Sequence, residues 1–111
     1  MHFNTLKQEI IDLFKGKSVM ICCAESCTGG LVARALTDLP GSSAIFDRGF
    51  VTYSNSSKID MLGVEEQTLM SFGAVSEEVA QEMAKGALDR SQAALSIALT
   101  GIAGPGGSDF K

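Results

Sequence analysis

Three observations predict an α/β fold for this chain, in the form of a three-layer α/β/α sandwich around a mostly parallel or mixed sheet. Short apolar runs of strand length alternate with stretches that carry apolar residues at helical spacing. The run at 18–24 has apolar residues on both faces, which is typical of a central strand covered by helices on each side. The chain of 111 residues is 45% hydrophobic and 20% charged, so we expect residues 1–111 to form a single globular domain.

The first half of the chain begins the alternation of helices and strands. Residues 3–14 place apolar side chains on one helical stripe, and Gly16 is suited to end that helix. The strand at 18–24 follows, and a second helix at 28–38 ends before Pro40. We therefore expect a helix and then a strand, a turn and a helix.

The second half continues in the same way. Its predicted elements are a strand at 46–54, short helices at 55–63 and 65–72, a helix that Ser76 caps and a third strand at 93–99. Within the second strand, Gly49 predicts either a bulge or a close approach of another chain segment.

Composition excludes some classes of partner. The net charge is −4 and the pI is about 4.8, without a run of Lys or Arg, which argues against nucleic-acid or anionic-membrane binding. No apolar stretch is long enough for a membrane span, and the first residues lack a signal-peptide pattern. We therefore expect a cytoplasmic protein.

The three cysteines lie within six residues, at 22, 23 and 27, so they do not predict a disulfide framework. A metal site is not expected either, because the only histidine is His2, near a chain end. Cys22 and Cys23 are interpreted as small buried hydrophobes. Cys27, near the start of a helix, is an alternative nucleophile because such a position lowers the pKa of a thiol.

Ser26 follows the first strand and precedes the second helix. A strand-to-helix turn points the first backbone N–H groups of the helix into the crevice above the sheet, where the helix dipole favours negative charge. A serine hydroxyl there is suited to attack a carbonyl while nearby amides hold the developing oxyanion. The alternative is that Ser26 only caps the helix and that Gly29 and Gly30 only provide a flexible turn.

Thr100 stands at the carboxyl end of the third strand, as Ser26 does at the end of the first. Open α/β sheets bind ligands at the carboxyl ends of their strands, so the two turns are expected to line one crevice. The glycine-rich loop at 101–107 is suited to cradle a phosphate, because glycines let successive N–H groups converge on an anion. The alternative for this loop is a flexible tail.

Five motifs together resemble the C-terminal domain of competence/damage-inducible protein A. They are AESCTGG at 24–30, GSS at 41–43, GFVTYSNSSK at 49–58, GAVS at 73–76 and TGIAGPGG at 100–107. Stand-alone members of that family are nicotinamide-nucleotide amidohydrolases. The motifs occur in the family's order, which makes the resemblance specific.

The resemblance implies hydrolysis of the carboxamide of nicotinamide mononucleotide to nicotinic acid mononucleotide and ammonia, in pyridine-nucleotide recycling. It implies that Ser26 is the nucleophile, that Lys58 is its general base, and that Tyr53 and Ser43 form hydrogen bonds in the site. It also implies an oligomeric α/β/α protein that needs no metal or other cofactor. The expected substrate-binding residues are Thr28, Gly29, Gly30, Thr100, Gly101, Gly104, Gly106 and Gly107.

The chemistry is consistent with the residues present. Amide hydrolysis requires a nucleophile, a base and an oxyanion site, and without a usable histidine a Ser–Lys pair is the available route. Lys58 acts as a base only when it is neutral, which demands burial or a nearby cation. Without the motif, each of these residues has a simpler interpretation. Lys58 would be an exposed lysine on a helix, Tyr53 an aromatic residue of a strand and Ser43 a helix cap.

Family domains continue for several tens of residues after the glycine-rich loop, adding strands, a helix and an active-site arginine. We expect this chain to lack those elements, which leaves the third strand with an open edge and favours homo-oligomers. The main alternative to an amidohydrolase is therefore a weak or inactive homologue that binds a nucleotide or assembles with other chains. A second alternative is a thiol enzyme that uses Cys27.

Overall fold

The structure is a computed structural model that describes residues 3–102. In chain order its elements are α1 (Phe3–Phe14), β1 (Ile21–Glu25), α2 (Leu31–Thr37), a 3₁₀ turn (Ser42–Ala44), β2 (Phe46–Val51), α3 (Asn55–Leu62), α4 (Glu66–Phe72), α5 (Glu77–Asp89) and β3 (Leu95–Leu99). Each predicted element is present.

The sheet has the order β2-β1-β3, and both strand pairs are parallel. β1 lies in the centre, and all five of its residues are buried. Its last residue, Glu25, pairs with Val51 on one side and Leu99 on the other, so all three strands end at the same edge. This arrangement places the segments that follow β1, β2 and β3 together.

Helices cover both faces of the sheet. Alternate residues of β1 point to opposite faces, so Cys22 and Ala24 join a core cluster with α3, α4 and α5, whereas Ile21 joins a cluster with α1 and α2. Of the described strands, only β1 has neighbours on both sides, and β3 is an edge strand. The α/β fold with layered helices, predicted from sequence, is confirmed.

Several boundaries differ from the prediction. β1 is Ile21–Glu25 instead of 18–24, and β2 ends at Val51 instead of 54, because Ser54 already caps α3. The close approach predicted at Gly49 is confirmed, since a Cβ there would lie 2.9 Å from the Cys23 sulfur. The irregularity in strand pairing lies at Asp47, where β2 has one extra residue between the partners of Ile21 and Cys22.

None of the helices in residues 3–102 has the length and apolar character needed to cross a membrane.

Candidate active site

The turns after β1 and β3 meet, as the sequence predicts. The backbone amide of Ser26 donates a hydrogen bond to the carbonyl oxygen of Leu99 over 3.0 Å. Two residues later, the chain at Gly101 passes the Cys27 side chain so closely that a Cβ on Gly101 would lie 3.2 Å from that sulfur. The carboxyl ends of β1 and β3 therefore form one site.

Lys58 reaches this site from α3. The Ser54 hydroxyl caps α3 by accepting a hydrogen bond from the Ser57 amide, which orients the first turn of the helix. Lys58 lies in that turn with only 1% of its surface exposed. Its Nζ atom lies 3.1 Å from the Ser26 hydroxyl oxygen, and it also donates to the carbonyl oxygens of Thr52 and Tyr53.

The surroundings of Lys58 shift its protonation equilibrium toward the neutral form. Burial lowers the pKa of Lys58, and the nearby Cys27 side chain opposes part of that effect. No carboxylate of the described residues forms a salt bridge with this lysine. A neutral amine would donate its two hydrogens to the carbonyls of Thr52 and Tyr53 and direct its lone pair at the Ser26 hydroxyl, which is the geometry of a general base.

The amides at the start of α2 do not point into the crevice, and this part of the prediction is wrong. α2 begins at Leu31, with Gly30 as its cap, so Ser26 is not the cap of this helix. The backbone amides of Gly30, Val32 and Ala33 instead donate to the carboxylate of Glu25, over 3.1, 3.0 and 2.8 Å. The positive end of α2 is therefore occupied by a buried side chain of the protein itself.

Glu25 is a residue of the site that the motif interpretation missed. It is fully buried, and besides the three amides it accepts a 2.6 Å hydrogen bond from the Thr28 hydroxyl. Burial alone would raise the pKa of Glu25, but the hydrogen bonds from Thr28, Val32, Ala33 and Gly30 hold it below its ordinary value. The available signal was an acidic residue at the end of an apolar strand, directly before the turn.

Two backbone amides in the turn have no acceptor among residues 3–102, those of Cys27 and Thr28. The amide of Gly29 donates to the Ser26 carbonyl, and the amide of Leu31 donates to the Thr28 carbonyl. The amides of Cys27 and Thr28 directly follow the serine in the chain. They are the donors in this turn that remain for an oxyanion.

The other residues predicted for the site do not contact the Ser26 hydroxyl through hydrogen bonds of the described chain. The Tyr53 side chain is 71% exposed, and only its backbone carbonyl contacts Lys58. The Thr100 hydroxyl donates to the Ala74 carbonyl over 2.8 Å, so it ties the end of β3 to the loop before α5. Gly104, Gly106 and Gly107 lie outside the described residues.

Ser43 lies apart from Ser26 in the described fold. It is exposed in the 3₁₀ turn before β2, and the adjoining Ile45 carbonyl accepts a hydrogen bond from the amide of Ile21. Ile21 begins β1, whereas Ser26 follows its end, so the two serines lie at opposite edges of the sheet, about 15 Å apart along the strand.

Metal ligands do not converge in the described part of the chain. Within residues 3–102, no group of three or more His, Cys, Asp or Glu side chains is arranged to hold a metal ion.

Comparison with known proteins identifies the family. The profile described as "CinA C-terminal domain" matches residues 3–111. The chain belongs to the CinA C-terminal domain family. It is 56% identical over 108 residues to "Nicotinamide-nucleotide amidohydrolase PncC" of Enterobacter agglomerans, covering 97% of this chain and 66% of that protein. It is 58% identical over 102 residues to a "CinA-like protein" of Chloroherpeton thalassium, covering 92% of this chain and 24% of that protein.

Solved CinA structures share the fold. The competence/damage inducible protein CihA of Agrobacterium tumefaciens superposes with a TM-score of 0.94 at 56% identity, over 98% of this chain and 67% of that one. The competence damage-inducible protein A of Klebsiella pneumoniae gives 0.93 at 36% identity, over 99% and 68%. The chain thus spans about two thirds of these CinA structures and about a quarter of the long CinA-like relative.

Proposed function

We propose that this chain is a nicotinamide-nucleotide amidohydrolase that converts the carboxamide of nicotinamide mononucleotide to a carboxylate and ammonia. The observation that carries the proposal is the buried Lys58 amine 3.1 Å from the Ser26 hydroxyl, without a carboxylate partner in the described residues. The name of the 56% identical relative, nicotinamide-nucleotide amidohydrolase PncC, supports this choice of substrate class.

In the first half of the reaction, Ser26 attacks the amide carbon. Neutral Lys58 accepts the hydroxyl proton as the Ser26 oxygen forms its bond to that carbon. The negative charge that develops on the amide oxygen is held by the backbone amides of Cys27 and Thr28, which have no acceptor within residues 3–102. Lys58 then returns the proton to the departing nitrogen, the C–N bond breaks, and ammonia leaves an ester on Ser26.

The second half regenerates the enzyme. Lys58, neutral again, accepts a proton from a water molecule as the water oxygen attacks the ester carbon. The bond between that carbon and the Ser26 oxygen breaks, and the proton on Lys58 returns to the serine. The net reaction consumes one water and yields the nicotinic acid nucleotide.

Further parts of the proposal concern the phosphate, Tyr53, Ser43 and the setting of the enzyme. The substrate phosphate is assigned to the glycine-rich loop from Gly101 onward, because the start of α2 is already occupied by the Glu25 carboxylate. The hydroxyl of Tyr53, whose side chain is exposed, is assigned to the bound substrate. A cytoplasmic location, a role in pyridine-nucleotide recycling and assembly into homo-oligomers stay predictions. The hydrogen-bonding role of Ser43 stays a prediction too, although in the described fold Ser43 lies near the start of β1 and Ser26 follows its end.

The test is ammonia release from nicotinamide mononucleotide by the purified chain. We expect Ser26→Ala and Lys58→Met each to lower kcat by at least about 1000-fold. Ser71→Ala and Lys85→Met, which change an exposed serine and a lysine paired on the surface with Asp89, are the matched controls and should retain activity. Cys27→Ser should retain activity as well, and loss of activity in that variant alone would indicate a thiol enzyme instead.

The main competing function is a homologue that binds the nucleotide without hydrolysing it. Relatives named only "CinA-like protein", a name that states no activity, motivate this alternative. Tight binding of nicotinamide mononucleotide by calorimetry, with no ammonia release and no change on Ser26→Ala, would establish it and refute the amidohydrolase.

A further inference from the structure

The buried carboxylate of Glu25 has five polar contacts, and the proposed reaction gives it no role. It accepts hydrogen bonds from the Thr28 hydroxyl, from the amide of the cap residue Gly30 and from two backbone amides of α2, and the Cys23 sulfur lies 3.6 Å from its second oxygen. We propose that Glu25 is a positioning residue that fixes the Ser26 turn for catalysis. This inference rests on the proposed function, because it concerns the same nucleophile.

The contacts fix the turn at both ends. Glu25 is the last residue of β1, and its backbone pairs with Val51 of β2 on one side and Leu99 of β3 on the other. Its side chain reaches over the turn and binds Thr28 on the turn and Ala33 on the helix beyond it. Ser26 is thus enclosed between a strand and a helix that one carboxylate joins, and its own amide and carbonyl are also hydrogen-bonded.

This arrangement also decides which amides are left for the substrate. The carboxylate uses the amides of Gly30, Val32 and Ala33, whereas those of Cys27 and Thr28 stay without an acceptor in residues 3–102. If Glu25 did not hold the turn, the orientation of those two amides relative to the Ser26 oxygen would not be fixed. An oxyanion site depends on such preorganised donors.

The charge of Glu25 is balanced by backbone amides instead of by a cation. None of the hydrogen bonds or salt bridges of the described residues joins Glu25 to Lys58, although Glu25 directly precedes the serine that Lys58 contacts. A carboxylate paired with Lys58 would hold the lysine in its charged form and remove the base. Glu25 instead faces α2, on the side of the sheet opposite α3, so it does not pair with the lysine.

The experiment compares Glu25→Gln with the wild-type chain in two assays. The first measures kcat and KM for nicotinamide mononucleotide, and the second measures the rate at which a fluorophosphonate probe labels Ser26, which needs no amide substrate. Glutamine keeps the shape but places an NH₂ group against donors such as the Ala33 amide. We expect kcat and the labelling rate to fall about 100-fold with KM nearly unchanged.

Thr28 offers a milder change, should Glu25→Gln fail to fold. Thr28→Val removes the hydroxyl donor and should lower both rates in the same direction, whereas Thr28→Ser keeps the hydroxyl and should restore them. The matched control is Glu82→Gln, which alters a carboxylate that binds the Glu65 amide and the Thr68 hydroxyl at α4. This control should lose stability but keep both rates.

The outcomes separate the two proposals. Unchanged kcat and labelling in a folded Glu25→Gln or Thr28→Val variant would overturn the positioning role, and so would an equal loss in Glu82→Gln. If the wild-type chain is labelled at Ser26 but releases no ammonia, the proposed function fails, while a slower labelling of Glu25→Gln still supports the positioning role. Absence of labelling in the wild-type chain would refute both.

Discussion

Gly86 of α5 passes directly against the carbonyl group of Leu62 at the end of α3. A Cβ on Gly86 would overlap the carbonyl oxygen and lie 2.8 Å from the carbonyl carbon. Both residues are buried, and α3 is the helix that carries Lys58. The contact between Gly86 and Leu62 therefore sets how closely the helix of the proposed base packs onto α5.

Replacing Gly86 with alanine should destabilise the protein. In a free helix this change would stabilise by up to about 1 kcal/mol, but here the added methyl forces α3 and α5 apart, and we expect a net loss of about 2 kcal/mol or more in the free energy of unfolding. Urea unfolding measures it. Gln81→Ala, at an exposed position of α5, is the control and should change stability by less than about 0.5 kcal/mol.

Activity should rise with pH because Lys58 must lose its proton to act as the base. Burial places the pKa of Lys58 below its ordinary value of 10.5, so kcat/KM should increase through a titration whose midpoint lies below that value. A pH series of ammonia release measures the profile. A rate that falls as this lysine deprotonates would contradict the assignment of Lys58 as base.

Lys58 should also link stability to pH. Because its pKa is lower in the folded chain than in the unfolded chain, the unfolded state binds more protons between the two values, and stability from this group rises with pH up to about 10.5. The stability of wild type relative to Lys58→Met should therefore increase between about pH 7 and about pH 10. Urea unfolding of both proteins at the two pH values tests this, and a constant difference would argue against burial of a titrating lysine.

Glu25 should show a dependence of the same sign, but in the acid range. Hydrogen bonds hold its folded pKa below the ordinary value of 4.5, so its contribution to stability is present above that value and is lost as the pH falls through the folded pKa. We expect Glu25→Gln to cost about 2 kcal/mol or more near neutral pH and progressively less in acid. Denaturation of both proteins across the acid range measures the convergence, and parallel curves would contradict it.

The order of elements could be predicted from sequence because helices and strands differ in apolar period. The meeting of Ser26 with the end of β3 followed from the rule for parallel strands. The start of α2 was predicted three residues too early, at 28. Gly29 and Gly30 adopt positive φ angles and extend the turn to Leu31. That longer turn lets Glu25 bind the helix amides, a contact that apolar periodicity does not encode.

The burial of the cysteines gives the chain internal reporters of its own opening. Cys22 and Cys23 are inaccessible in the central strand, and burial together with the nearby Glu25 raises the pKa of Cys23 to about 12. Cys27 is partly exposed beside the nucleophile. Alkylation followed by mass spectrometry would thus record two events in the wild-type protein. Fast reaction at Cys27 would report motion of the turn, and slow reaction at the other two thiols would report global unfolding.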